Sequence, residues 1–361
     1  MDSPAGVFVD HLGRLWVADH DNARVLRFSN ASGLASHAAA DRVYGQADFT
    51  SSTFSVTASG MINPTSVWVD RADRLWVADE ACCRVLRFDD VSNKPNGASA
   101  DGVLGQTTFT SGTQGSGDAG LDRPMSIVFS KNGALFVACN RGHRVLRFNQ
   151  AATLANGAAA SAVFGQADFS GSTSGISATT MSNPRGLAIA KDDTLWVCDT
   201  DNSRVLRFNK ASTRASGASA DGVVGQADFV SAAAGCDSQS LSYPDGGMLV
   251  DPEGDLWVTD RTNNRALRFP AVASKPVVIV TSEFSKTTKK KTITLKGTAT
   301  DPNGVSRVRY QVGEGPVKTA TGTGRWKITR HLSKGKNKIR IFAEDPWGDL
   351  SRNKVITITR K

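Results

Sequence analysis

Short runs of valine, leucine and aromatic residues, bounded by Gly, Asp, Asn or Ser, recur along residues 4–270 and predict β-strands throughout. GVFVD (6–10) reads as a first strand and RLWVAD (14–19) as a second, joined by a short Asp/Gly-containing turn. RVLRF (24–28) follows a tight turn as a third, and the VxGQ segment (43–46) reads as a fourth. A connector rich in Ala, Ser and Gly (29–41) separates the third from the fourth. A polar loop (50–63) then leads to a proline and the next first strand.

This unit repeats. GRLWVADHDNARVLRF (13–28), DRLWVADEACCRVLRF (73–88), GALFVACNRGHRVLRF (133–148), DTLWVCDTDNSRVLRF (193–208) and GDLWVTDRTNNRALRF (254–269) are one motif in five copies. Their last residues, Phe28, Phe88, Phe148, Phe208 and Phe269, are spaced 60, 60, 60 and 61 residues apart. VYGQADF, VLGQTTF, VFGQADF and VVGQADF, ending at Phe49, Phe109, Phe169 and Phe229, keep the same register. Several short strands in each long repeat read as the blades of a propeller.

The recurring polar residues are accounted for by the hairpin between the second and third strands. Asp19, Asp79, Asp199 and Asp260 stand five residues before Arg24, Arg84, Arg204 and Arg265, close enough for each Arg to reach its Asp. Such a charge-assisted hydrogen bond is worth about 1.5–3 kcal/mol when shielded and about 0–1 kcal/mol when exposed. Asn22, Asn202 and Asn263 are expected to take the left-handed conformation of the turn. In the third copy Cys139 replaces the Asp, so Arg144 must find another acceptor. Trp16, Trp76, Phe136, Trp196 and Trp257 share one register and read as packing between blades. The Asp-x-Asp-Asn runs at 19–22 and 199–202 lack the glycine and distal glutamate of a calcium loop.

The order Pro-x-(Gly/Ser), two strands, then Asp-x-x-Asn-x-Arg-Val-Leu-Arg-Phe resembles the NHL repeat, and the added VxGQxDF resembles a bacterial variety of it. The resemblance covers about residues 4–270 and implies a six-bladed or near-six-bladed propeller of the TolB-like kind. Only four copies of the fourth strand are visible against five of the others. The fold class is therefore all-β, with either a five-bladed ring or an incomplete six-bladed one. Closure would call on a segment such as Pro276–Thr281, and a truncated or misplaced start is the expected explanation of the missing strand.

Residues 271–276 read as a Pro/Ala/Ser linker between the propeller (1–270) and a second domain (277–361). PVVIVT, KTITLKGTATD, VSRVRYQV, RWKITRHL, NKIRIFAED and KVITITR alternate in the strand rhythm, with turns such as Asp301-Pro302-Asn303-Gly304 between them. They predict an immunoglobulin-like sandwich without a disulfide. The wording GTATDPNGVSRVRYQV and NKIRIFAEDPWGDLS resembles bacterial Ig-like domains of cell-surface proteins, which implies a spacer or adhesion module.

Charge divides the chain at the same place. Residues 1–271 hold 23 Lys and Arg against 28 Asp and Glu, a net of −5, and residues 272–361 hold 20 against 6, a net of +14. Lys289, Lys290, Lys291, Lys334, Lys336 and Lys338 would serve docking on envelope polyanions, although a solvated face accounts for them as well. The acidic propeller argues against nucleic acid as a partner. Five cysteines at irregular positions imply no disulfide framework. Cys82-Cys83 reads as two small hydrophobes rather than a vicinal disulfide or metal pair. Met1–Gly6 has neither the basic nor the apolar region of a signal peptide, and no apolar run approaches the ~20 residues of a membrane helix. The surface-protein resemblance implies an extracellular or envelope location.

A ligand face is expected where the loops entering the first strands meet the hairpin tips, around the mouth of the central channel. Thr65, Met125, Arg185 and Asp245 follow the opening prolines, and the tips bring His20, Asp21, Glu80, Arg141, His143, Asp201 and Arg261. These positions differ from copy to copy while the frame does not. The expectation is a non-enzymatic protein that recognises a protein or glycan, with no catalytic, metal or cofactor residues assigned. The alternative implied by six-bladed relatives is a metal-dependent hydrolase or lactonase, or a lyase. Glu80 and Glu253 are the only glutamates in the propeller, Glu253 in an opposite-face turn, and its histidines (His11, His20, His37, His143) lack ligand spacing.

Overall fold

The computed structural model describes residues 1–270, 276–300, 305, 307–344 and 350–361. The linker residues 271–275 and the turn Asp301–Gly304 lie outside the described residues. The chain divides into two compact units, Met1–Phe269 and Pro270–Lys361.

The first unit is a series of antiparallel blades. Blade one pairs Pro4–Val9, Leu15–Asp19, Arg24–Phe28 and Arg42–Tyr44 in sequence order. Blades two, three and four repeat that order, opening at Pro64–Val69, Pro124–Phe129 and Pro184–Ile189. Blade five has three strands, Pro244–Val250, Leu256–Asp260 and Arg265–Phe269.

Alternation sends one face of each blade to its predecessor and the other to its successor. Trp16, Ala18 and Val25 of blade one pack on Val67, Val69, Leu75 and Val77 of blade two. Trp76 and Ala78 then pack on Ile127, Leu135 and Val137 of blade three, and Phe136 and Ala138 on Leu187 and Val197 of blade four. The aromatic register is thus the packing between blades, as the repeat implies. Trp257 departs from it: 39% exposed where Trp76 is 1%, it has no sixth blade to cover it among the described residues.

The fourth strand is three residues long, because the GQ that follows it does another task. Gly45, at φ 87°, leaves the strand where a Cβ would stand 2.8 Å from the Ala23 carbonyl oxygen. The buried Gln46 then donates from Nε2 to the Ala23 and Thr53 carbonyls at 3.1 and 2.8 Å. Gln106, Gln166 and Gln226 make the same two bonds, tying each hairpin to the loop that follows.

The segment expected to close the ring is committed elsewhere. Val277–Val280 pairs with Thr292–Thr300 inside the second unit and gives blade five no fourth strand. That unit is a sandwich of a three-stranded sheet and a five-stranded one. The first is formed by Val277–Val280, Thr292–Thr300 and Arg325–His331. The second places Gly335–Glu344 between Arg307–Val312 and Lys354–Arg360. Leu295, Trp326, Ile328, Ile339, Ile341 and Ile358 fill the space between the sheets, as the immunoglobulin-like reading requires.

Candidate functional site

Four of the five hairpins between second and third strands are built on a buried Asp acceptor. Asp79 Oδ2 takes the Arg84 Nε–H at 2.9 Å, and Oδ1 takes the backbone N–H groups of Ile62 and Asn63 from the loop leading into the same blade. Both side chains are buried. The same ion pair joins Asp19 to Arg24, Asp199 to Arg204 and Asp260 to Arg265. Asn22, Asn202 and Asn263 are not the left-handed residues. They sit one position earlier and donate from Nδ2 to the Asp carboxylates. The left-handed position falls on Ala23, Cys83, His143, Ser203 and Asn264, with φ between 47° and 51°. In blades one, four and five the turn is a single 3₁₀ turn rather than a two-residue hairpin, which shifts the left-handed position by one.

That frame carries a ring of unlike polar side chains. In blades one to three, His20 Nδ1 lies 2.6 Å from Asp21 Oδ1, and Asp21 Oδ2 accepts from Ser3 Oγ at 2.5 Å. The Ser3 hydroxyl and the His20 imidazole together hold the Asp21 carboxyl below the usual carboxylate range. His20 Nε2 faces Glu80 at 3.7 Å, and Arg123 pairs with the other Glu80 oxygen.

In blades four and five, Arg185 Nη1 stands 3.3 Å and Arg261 Nη1 3.4 Å from the Asp245 carboxylate. Both guanidiniums lie over the Tyr243 ring, at 5.7 and 5.8 Å from its centroid. Between the two groups, His143 Nδ1 accepts the Asn183 backbone N–H at 3.0 Å, and the Asn183 side chain donates to Asp201. Burial lowers the His143 pKa, opposed by the nearby Asp201 and Asp122, which agrees with the acceptor role its Nδ1 has toward Asn183.

Eight of the eleven expected positions thus fall into these linked groups: His20, Asp21 and Glu80; His143 and Asp201; Arg185, Asp245 and Arg261. Thr65 does not join them. It is buried and donates from Oγ1 to the Pro124 carbonyl at 3.1 Å, between adjacent first strands. Met125 is half-buried without a polar role, and Arg141 is exposed without an ion pair among the described residues.

The sequence reading passed over the residue before each opening proline: Ser3, Asn63, Arg123, Asn183 and Tyr243. Four of the five have φ between 47° and 54°, a region unfavourable to bulky side chains. From there they reach the hairpin tips of their own blade or the preceding one. Their signal in the sequence is variation at a fixed repeat position, one residue before the opening proline.

Cys82, Cys83, Cys139 and Cys198 are buried free thiols, and Cys236 is exposed. Among the described residues no cluster of His, Cys, Asp and Glu is arranged to hold a metal ion. Lys289, Lys290, Lys291, Lys334, Lys336 and Lys338 of the second unit are all exposed, and none forms an ion pair among the described residues.

Residues 181–208 match the NHL repeat, and residues 276–341 match the bacterial Ig domain. No curated protein matches the chain. Among solved structures, it is similar to a selenomethionine-substituted virginiamycin B lyase from Staphylococcus aureus. That likeness has 11% identity and a TM-score of 0.41, and covers 98% of this chain and 94% of that one. The PQQ-bound aldose sugar dehydrogenase of Streptomyces coelicolor is 16% identical over 76% of this chain and 78% of its own, with a TM-score of 0.43. A calcium-binding regucalcin from Agrobacterium tumefaciens is 14% identical over 74% and 70%, with a TM-score of 0.42.

Proposed function

We propose that this chain is a non-enzymatic recognition protein. Its propeller holds a protein or glycan partner on the face formed by the opening loops and hairpin tips. One observation supports this reading above others. The Asp–Arg frame recurs in four of the five blades, while the side chains standing on it differ and are already held to one another by hydrogen bonds and ion pairs. A surface pre-organised before binding loses less conformational entropy when a partner arrives. The two guanidiniums over Tyr243, sharing the one Asp245 carboxylate, favour an acidic group on the partner at blades four and five.

The Ig-like unit then acts as a spacer or tether at the cell envelope or outside the cell, its exposed lysines adding attraction to surface polyanions. The test is binding of the full chain to glycan and peptide arrays in ~0.15 M salt. A ligand bound by the parent should be lost by Arg123→Ser and Arg261→Ser together. Retention by that variant sinks the assignment to this face.

A hydrolase or lyase is the second reading. His20, between the carboxylates of Asp21 and Glu80, has the surroundings of a general base. It predicts turnover of lactone or ester substrates that His20→Gln abolishes.

A further inference from the structure

Blade three lacks two groups that fill the hairpin in blades one, four and five. Where blades one, four and five have Asp and, three residues on, Asn, blade three has Cys139 and Gly142. Their Arg side chains donate from Nε to the Asp carboxylate at 2.7–2.8 Å. In blades four and five the Asn also donates to a loop carbonyl, Asn202 to Gly175 at 2.9 Å and Asn263 to Gly235 at 2.8 Å.

Blade three keeps the partners of these missing groups. Arg144 is 1% exposed and gives its Nη groups to the carbonyls of Phe169, Gly117 and Gly120, but its Nε–H has no acceptor. Gly115 stands where Gly175 and Gly235 stand, with no side chain on Gly142 to meet its carbonyl.

A cavity of about 250 Å³ opens at this place. Gly115, Gly142 and Arg144 line it with Gln114, Asp122 and Ser172. Asp122 is buried; its Oδ2 accepts from Gln114 Nε2 at 2.6 Å and its Oδ1 has no partner. Its lining residues therefore include one buried cationic donor without an acceptor, Arg144 Nε, and one buried acceptor without a donor, Asp122 Oδ1, beside the half-buried Gly115. Burying such groups unpaired is costly, so an occupant that satisfies both is favoured over an empty site.

We propose that this cavity binds a small carboxylate carrying a hydrogen-bond donor on the adjacent carbon, an α-hydroxy or α-amino acid. The ligand carboxylate takes the place of the missing Asp at Arg144 Nε. Its hydroxyl or ammonium takes the place of the missing Asn, donating to Asp122 Oδ1 or the Gly115 carbonyl. A bare dicarboxylate is disfavoured by Asp122, and an amine without a carboxylate by Arg144. The site is independent of the partner proposed for the loop face, since none of the side chains in that reading lines it.

The test is calorimetric titration of glycolate, glycine and acetate into the full chain and into Cys139→Asp/Gly142→Asn, which restores the side chains of the other blades. Glycolate or glycine should bind the parent once per chain. Acetate, lacking the donor, should bind about tenfold more weakly or not at all. The double variant should bind none of them and should melt at a higher temperature than the parent without ligand. Gly142→Asn alone, which fills only the amide half, should bind more weakly and covers the case in which the double variant does not fold. Absence of binding to the parent leaves the cavity to water and overturns the proposal. So does undiminished binding to the filled variants, or acetate binding as tightly as glycolate.

Discussion

The buried carboxylates Asp19, Asp79, Asp199 and Asp260 each hold a hairpin and a neighbouring loop together, and their consequence is energetic. Removing one partner of a buried pair leaves the other charge without compensation, which costs about 3–5 kcal/mol. Asp79→Ala should lose that much stability in urea denaturation, because two backbone N–H groups and the Arg84 guanidinium lose their acceptor together. Asp21→Ala, two residues beyond the matching Asp19 and exposed, should leave the urea midpoint close to that of the parent. The Asp–Arg link was legible in the sequence because side chains five residues apart across a hairpin have few other places to go. The Asn role was not, since a repeat shows that an amide is needed and not which dihedral it adopts. The pre-proline residues were hidden for a related reason: some reach their own hairpin tip and others the preceding blade's, and no local rule predicts where an Arg or a Tyr goes once its backbone turns left-handed.

Among the five left-handed hairpin residues, one is a histidine. In blade three the left-handed residue is His143, and its Nδ1 must be unprotonated to accept the Asn183 N–H. Its folded pKa is lowered from the ordinary 6.5, chiefly by burial. The sign follows: the stabilisation is complete above about pH 6.5 and is lost as pH falls through the depressed folded value. Blade four performs the same task with a group that does not titrate, since Ser203 Oγ accepts the Tyr243 N–H at 3.3 Å. His143→Ser should therefore keep the acceptor and remove the proton dependence. Thermal melting from about pH 8 to pH 5 should fall less steeply for the variant than for the parent, and parallel curves would show that His143 does not carry this dependence.

The molecule as a whole is governed by which blade faces find a neighbour. The strand pattern made five blades readable, because each valine or tryptophan recurs with its register. It could not say which copies are covered, since burial belongs to the assembled unit and not to the repeat. Val67 and Val69 of blade two are each 4% exposed against blade one, while Val7 and Val9, their equivalents in blade one, are 69% and 55% exposed. Leu249 and Trp257, in the register of Phe8 and Trp16 on the other face, are exposed on blade five. Stability in such a repeat is approximately a sum over blades and the interfaces between neighbours, so one substitution should differ sharply in effect between covered and uncovered copies. Val69→Asp places an unpaired charge between blades one and two and should cost about 4 kcal/mol or more. Val9→Asp puts the same charge into water and should change stability by about 0.5 kcal/mol or less, while reducing the exposed apolar patch. Urea denaturation of the two variants beside the parent measures both, and a comparable loss in each would mean that the blade-one face is covered in solution.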